Sequence, residues 1–177
     1  ERAVRDTWTD LLDNGTDVAI DIIRFSRNAR SRTSGDFDGD LDTDFFTTDR
    51  GLLEVATQAL AVTDAPTNYN VARNAAYEQM RDELDDTQDL ASLPLSKYVV
   101  IFLSDGVPDV DSGSTRGNST EQILEVVESM RKLAADFRVG EFAFHTAFIS
   151  SGREAFDQRA QELLADMAAA GGGNFRN

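Results

Sequence analysis

The sequence predicts an α/β fold in which helices flank a doubly wound, mostly parallel sheet. Segments with the 3.6-residue apolar period of amphipathic helices alternate with short apolar runs, as in strand–helix–strand units. The clearest run, 97–103, stops at a Ser-Asp-Gly turn and is typical of a strand buried on both faces of a parallel sheet. With 177 residues and 41% apolar content, the chain is the size of one domain with its own core.

The first part of the chain predicts a helix, a strand and an acidic insertion. Val4, Trp8, Leu11 and Leu12 form the apolar stripe of a helix over 2–13, which ends at an Asn-Gly turn. Residues 18–25 are rich in β-branched and aromatic side chains and favour a strand. The polar stretch at about 26–48 indicates an irregular or hairpin excursion from the sheet edge.

The rest of the chain alternates between helices and strands. A helix begins behind a Thr48 or Asp49 cap and stops before Pro66, and another helix begins near Ser119 with the spacing of a capping box. The remaining predicted elements are a helix over 69–84, strands over 97–103 and 142–149, a helix over 154–170 capped by three glycines, and the first residues of a strand over 174–177.

Composition excludes several classes of function. The formal net charge is −15, and Lys97 and Lys132 are the two lysines, so a surface for nucleic acid is not expected. Divalent metals or cationic partners fit this charge better. The chain has no cysteine, which excludes disulfides, thiolate nucleophiles and Cys-ligated zinc. No apolar run approaches the 18 residues of a membrane span.

Two polar signatures lie where an open parallel sheet places its binding residues. Asp105 directly follows the strand 97–103, and Thr67 lies just before the helix over 69–84. A hydroxyl and a carboxylate are oxygen ligands suited to Mg²⁺. Each signature alone has a simpler explanation, since Thr67 could cap the helix and Asp105 could belong to an Asp-Gly turn.

Taken together and in order, the two signatures resemble the von Willebrand factor type A domain. The resemblance is carried by 65–72, which contains Thr67-Asn68, and by 98–109, which contains Ser104-Asp105-Gly106. It implies a Rossmann-like fold and a metal-ion-dependent adhesion site. In that family the site holds Mg²⁺, with Mn²⁺ or Ca²⁺ as alternatives, and an acidic side chain of a protein partner completes the metal shell. By this resemblance, Thr67 is the threonine of the site and Asp105 its aspartate.

The sequence departs from the family pattern at its first motif. Neither the family's first strand nor the Asp-x-Ser-x-Ser motif that follows it occurs here. We therefore expect residues 1–177 to be the interior of a single type A domain that is incomplete at both ends. The missing N-terminal segment of the same domain is then an expected partner, and the strands over 18–25 and 98–103 should flank the strand that it supplies.

An acidic run inside the insertion predicts either a calcium loop or a solvated edge. Dense carboxylates beside a glycine have the chemistry that Ca²⁺ prefers, although their spacing is not that of an EF-hand. On a strand, alternate carboxylates would instead form one charged, solvent-facing side. The residues concerned are Asp36, Asp38, Asp40, Asp42 and Asp44.

These observations predict a non-enzymatic protein–protein interaction or adhesion module, located outside the cell, at the cell surface or in the periplasm. The alternative is a scaffold subunit of a larger assembly whose metal site is vestigial or incomplete. Catalysis is not expected, because no glycine-rich phosphate loop precedes a helix and His145 is the lone histidine, placed within an apolar strand.

Overall fold

The computed structural model describes residues 2–14, 18–26, 28–33, 46–60, 67–105, 119–149 and 154–177. This part of the chain forms five α-helices and five strands. The helices are α1 (Arg2–Asp13), α2 (Arg50–Gln58), α3 (Tyr69–Asp86), α4 (Thr120–Asp136) and α5 (Glu154–Ala170). The strands are β1 (Ile23–Phe25), β2 (Ala29–Ser31), β3 (Lys97–Ser104), β4 (Glu141–Phe148) and β5 (Gly172–Arg176).

A three-stranded parallel sheet in the order β3-β4-β5 forms the centre of the fold. Helix α4 connects β3 to β4, and α5 connects β4 to β5, so both crossovers step across the sheet in one direction. Because parallel crossovers are right-handed, such steps place both helices on the same face. The prediction of a mixed α/β fold with a parallel sheet and flanking helices is confirmed.

The main core lies between this helical layer and one face of the sheet. Phe102 of β3 and Phe144 of β4 stack on that face, with ring centroids 6.1 Å apart. The hydroxyl of Thr146 donates to the carbonyl of Leu164 at 2.7 Å, which ties α5 to the same face. The helices contribute further buried side chains: Ala72, Met80, Leu84, Ile123, Val127, Met130, Ala134, Ala160, Leu163 and Met167.

The opposite face of β3 is open to solvent. Val99 and Ile101 are 44% and 51% exposed, because α3, α4 and α5 all pack on the face that carries Phe102. The expectation that this strand is buried on both faces is therefore wrong for the described structure. The second helical layer of a doubly wound sheet is not present among the residues that the structure describes.

A smaller core joins the N-terminal elements. Trp8, Ile22, Leu53 and Ala56 are buried together, and the indole N–H of Trp8 donates to the hydroxyl of Thr57 at 3.0 Å. The predicted strand over 18–25 is shorter than expected, since β1 spans Ile23–Phe25 and pairs antiparallel with β2. The hairpin joins the end of the predicted strand to the first residues of the stretch 26–48, of which 34–45 lie outside the described residues.

Phe25 packs the hairpin against the main core. Its ring lies 6.2 Å from that of Tyr69 and 5.0 Å from that of Phe102, measured between ring centroids. The strands β1 and β3 belong to separate sheets and do not pair with each other.

The helix surfaces are polar and charged. Arg81 pairs with Glu78 and Asp82, and Lys132 pairs with Asp136. Such exposed pairs contribute little to stability, because solvent and salt screen them. None of the described helices is long and apolar enough to cross a membrane.

The close contact between α5 and β4 generates a test of the fold. A Cβ added at Gly171 would lie 2.2 Å from Cβ of Phe144 and 3.0 Å from Cγ1 of Val127, so we expect Gly171→Ala to destabilise the protein by about 1–3 kcal/mol. Urea denaturation measures this. The matched control is Gly172→Asn, because Gly172 has φ +69° with open space around it and Asn tolerates this conformation. Equal urea midpoints for the wild type and Gly171→Ala would contradict the packing described for this helix.

Candidate functional site

The structure brings the two sequence signatures to one edge of the sheet. Thr67 is half-buried just before α3, and Asp105 is exposed directly after β3. A hydrogen bond joins the side chains of Tyr69 and Ser104, and the negative charge of the nearby Asp105 raises the pKa of the Tyr69 hydroxyl. The segment that carries Thr67 therefore adjoins the carboxyl end of β3, where parallel sheets gather their binding residues.

Asn68 determines where α3 begins. Its side-chain oxygen accepts from the backbone N–H groups of Asn70 and Val71 at 3.1 and 3.3 Å, the contacts of an N-cap. The helix cap is therefore Asn68, and capping does not explain Thr67. The backbone N–H of Asn68 donates to the carbonyl of Ser26 at 3.0 Å, which holds the β1–β2 hairpin beside the same segment.

Tyr69 is the buried centre of this edge. Its ring is fully buried and lies 4.9 Å from that of Phe102. Burial raises the pKa of the Tyr69 hydroxyl, the hydrogen bond with Ser104 lowers it, and the nearby Asp105 charge raises it further, with a net shift upward. The hydroxyl thus stays protonated at neutral pH and serves as a hydrogen-bonding group.

Arg73, one turn after Tyr69 in α3, connects α3 to α4 through hydrogen bonds. The fully buried guanidinium donates to the carbonyls of Gln122 and Ile123 at 2.7 and 2.8 Å, in the first turn of α4. It also donates to the carbonyl of Tyr69 and to the side-chain oxygen of Asn70, both at 3.1 Å. Desolvation lowers the pKa of Arg73 to about 10, so the group remains charged at neutral pH.

Sequence reasoning missed Arg73. The signal was present, because Tyr69, Arg73, Ala76 and Met80 follow the i, i+4, i+7, i+11 spacing of one helix face. A charged residue within such a stripe indicates a buried group that has found hydrogen-bond acceptors. This arginine positions the helix that begins beside Thr67.

The remaining predicted residues are the acidic run and His145. Asp36, Asp38, Asp40, Asp42 and Asp44 lie outside the described residues. His145 accepts a hydrogen bond at Nδ1 from the backbone N–H of Asn174 at 3.0 Å, in keeping with a structural role between β4 and β5.

As a metal centre, the described edge offers the two predicted ligands, Thr67 and Asp105. Thr67 and Asp105 would supply a hydroxyl and a carboxylate, whereas Mg²⁺ takes six oxygen ligands. Among the residues that the structure describes, there is no group of three or more His, Cys, Asp or Glu side chains that could hold a metal ion. Waters and groups from outside the described residues would have to complete a shell.

Comparison of the chain with protein-family models, with curated proteins and with solved structures gives no match. The relation to type A domains therefore stays a prediction, carried by the two signatures and their order along the chain.

The bond between Tyr69 and Ser104 can be tested directly. We expect Tyr69→Phe and Ser104→Ala each to lower the free energy of unfolding by about 1–3 kcal/mol, because each leaves a buried hydroxyl without this partner. A double-mutant cycle by urea denaturation should show that the second substitution adds little to the first. Strictly additive effects would mean that the two side chains do not act as a pair.

The role of Arg73 gives a second prediction. Arg73→Met keeps most of the aliphatic volume but removes four donated hydrogen bonds, so we expect a loss of about 3–5 kcal/mol in the free energy of unfolding. Arg131→Met is the matched control on the exposed side of α4 and should stay within about 0.5 kcal/mol of the wild type. A similar loss in the free energy of unfolding for both variants would show that Arg73 does not position α3.

Proposed function

We propose that this chain is part of a non-enzymatic protein–protein interaction or adhesion module of the von Willebrand factor type A kind. The module binds its partner through a divalent metal at the carboxyl edge of the parallel sheet. One observation carries the proposal: the Tyr69–Ser104 hydrogen bond, which joins the segments bearing Thr67 and Asp105. Extracellular, cell-surface or periplasmic assemblies are the setting that this function suits.

The chemistry of the edge supports Mg²⁺ as the ion, with Mn²⁺ or Ca²⁺ as alternatives. The Thr67 hydroxyl and the Asp105 carboxylate are hard oxygen ligands, and the exposed position of Asp105 leaves room for a partner to approach. An acidic side chain of the partner protein supplies a further oxygen. In this scheme the metal is the bridge between the two proteins and no reaction is catalysed.

The free edge of β3 supports a further strand beside it. In the described part of the chain, β3 pairs with β4 on one side and with no strand on the other. An unpaired strand edge is a row of backbone donors and acceptors that readily takes another strand. We infer that a segment of the same domain outside the 177 residues adds this strand and brings the remaining metal ligands.

A scaffold subunit with an incomplete metal site is the second candidate. It is favoured by the two candidate ligands at the edge and by the exposed apolar side chains of Val99 and Ile101, which suit permanent packing against a neighbour. In this case the acidic surface and the Asp-rich insertion, with or without Ca²⁺, serve assembly contacts.

Metal titration separates the two candidates. In calorimetric titration with Mn²⁺ we expect Thr67→Val and Asp105→Asn each to weaken binding at least about tenfold, since each removes one oxygen ligand. Asp166→Asn, an exposed aspartate of α5, is the matched control and should bind as the wild type does. Equal affinities in all four proteins would favour the scaffold.

A further inference from the structure

The β1–β2 hairpin and its flanks are basic in an otherwise acidic protein. Residues 20–33 contain four arginines and one aspartate, whereas the whole chain has a formal net charge of −15. The metal-binding proposal makes no use of these arginines. Three of them, Arg24, Arg30 and Arg32, lie within the described residues, and we call this set the arginine hairpin.

The strand register places these arginines on one face. Arg24 lies directly opposite Arg30 across the antiparallel pair, and side chains opposite each other share a face. The backbone N–H of Arg32 donates to the carbonyl of Ile22 at 2.7 Å, so Arg32 continues the same alternation two residues after Arg30. Arg30 is exposed, while Arg24 and Arg32 are half-buried.

Arg24 and Arg30 place two like charges directly opposite each other. Like charges directly opposite on neighbouring strands destabilise a hairpin. The other face of the hairpin carries Phe25, which packs on Tyr69 and supplies the apolar contact that holds the hairpin in place. The arginine face also carries Ile22, which lies opposite Arg32 and is buried with Trp8, Leu53 and Ala56. The hairpin is therefore packed on both faces, and Arg30 is the exposed member of the set.

The arginine hairpin has no carboxylate partner in the part of the chain that the structure describes. Arg24 donates to the carbonyl of Ala59, the C-cap of α2, at 3.1 Å. The buried Nε of Arg32 has no hydrogen-bond partner. By contrast, Arg5 and Arg50 pair with Glu54 and Asp13 at 2.7 and 2.6 Å.

We propose that the arginine hairpin binds an extended acidic segment of a protein partner, with carboxylates at alternate positions. Strand residues two apart are separated by about 7 Å, so the carboxylates of an extended Asp-x-Asp or Glu-x-Glu segment match the spacing of Arg30 and Arg32. The guanidinium fork suits carboxylates, which it can bind through two parallel hydrogen bonds.

The length of the ligand follows from the charge of the molecule. A long polyanion such as duplex nucleic acid would be repelled by the acidic remainder of the chain. A short segment meets mainly the local field, since charges are screened beyond about 8 Å at physiological salt. The inference thus goes beyond the proposed metal site and requires no metal.

The hairpin also adjoins the edge that carries Thr67. Ser26, at the end of β1, accepts a hydrogen bond from the backbone N–H of Asn68, the residue after Thr67. A partner bound at that edge could therefore reach the hairpin with the same acidic segment.

A peptide with alternating charge is the probe. The fluorescent hexapeptide Asp-Ser-Asp-Ser-Asp-Ser is titrated with the 177-residue chain, in chelator at physiological salt, and binding is read by anisotropy. We expect Arg30→Glu and Arg32→Glu each to weaken binding at least about tenfold, because each replaces attraction by repulsion. Arg159→Glu, an exposed arginine of α5, is the matched control and should change the affinity less than about twofold.

Three comparisons can overturn the inference. If Arg159→Glu and Arg30→Glu weaken peptide binding equally, the effect is one of net charge and not of the hairpin. If the block peptide Asp-Asp-Asp-Ser-Ser-Ser binds as tightly as the alternating peptide, the spacing of the carboxylates does not matter. Tighter binding of duplex DNA would assign the hairpin to nucleic acid. Thermal unfolding of Arg30→Glu close to that of the wild type confirms that the fold is intact, since Arg30 is exposed.

Two further measurements separate this inference from neighbouring explanations. If the wild type self-associates in sedimentation and Arg30→Glu abolishes it, the ligand is a second copy of this chain and the proposal of a different partner falls. Asp105→Asn should bind the peptide as the wild type does in chelator. If Asp105→Asn binds the peptide normally, peptide binding does not depend on the metal ligand. The metal proposal and the peptide proposal can then fail independently of each other.

Discussion

The burial of the Tyr69 side chain is the constraint on which the rest of the structure depends. A phenol that is fully buried must keep a hydrogen-bond partner, and here a hydrogen bond to the side chain of Ser104 meets that need. The same residue joins four elements: its ring packs on β1 and β3, it opens α3, and its carbonyl accepts from Arg73, which reaches α4. The position of the segment carrying Thr67 relative to β3 therefore follows from one residue's packing.

The one-sided layering of the sheet follows from its connections. Since β3, β4 and β5 are joined by successive crossovers in one direction, α4 and α5 share a face with the stacked rings of Phe102 and Phe144. The other face of β3 and its free edge are left without cover by the described elements. A sheet of this kind gains stability when a further strand and a second layer are added, which is why a strand donor and assembly contacts enter the functional proposals.

Much of the fold could be predicted because long periodic segments dominate it. The bounds of α1, α3, α4, α5, β3 and β4 lie within about two residues of the predicted ones, and Ser119 accepts from the backbone N–H of Gln122 as the capping-box spacing requires. The strand over 18–25 was predicted too long, because apolar content alone does not reveal where pairing stops. The proximity of the Thr67 and Asp105 segments followed from the carboxyl-edge rule, whereas the cap at Asn68 and the buried Arg73 depend on side-chain contacts across elements.

Arg73 and the arginine hairpin differ in the hydrogen bonds that their guanidinium groups make. Arg73 is fully buried and donates to four oxygens of its own chain, so its guanidinium is satisfied within the fold and serves packing. In the arginine hairpin, Arg30 points its charge to solvent opposite Arg24, and the Nε of Arg32 is buried without a hydrogen-bond partner. A buried donor without an acceptor and the repulsion between like charges both destabilise the folded state. An anionic ligand at the exposed Arg30 would offset the repulsion between the opposed arginines, which is the physical reason to place recognition there and not at Arg73.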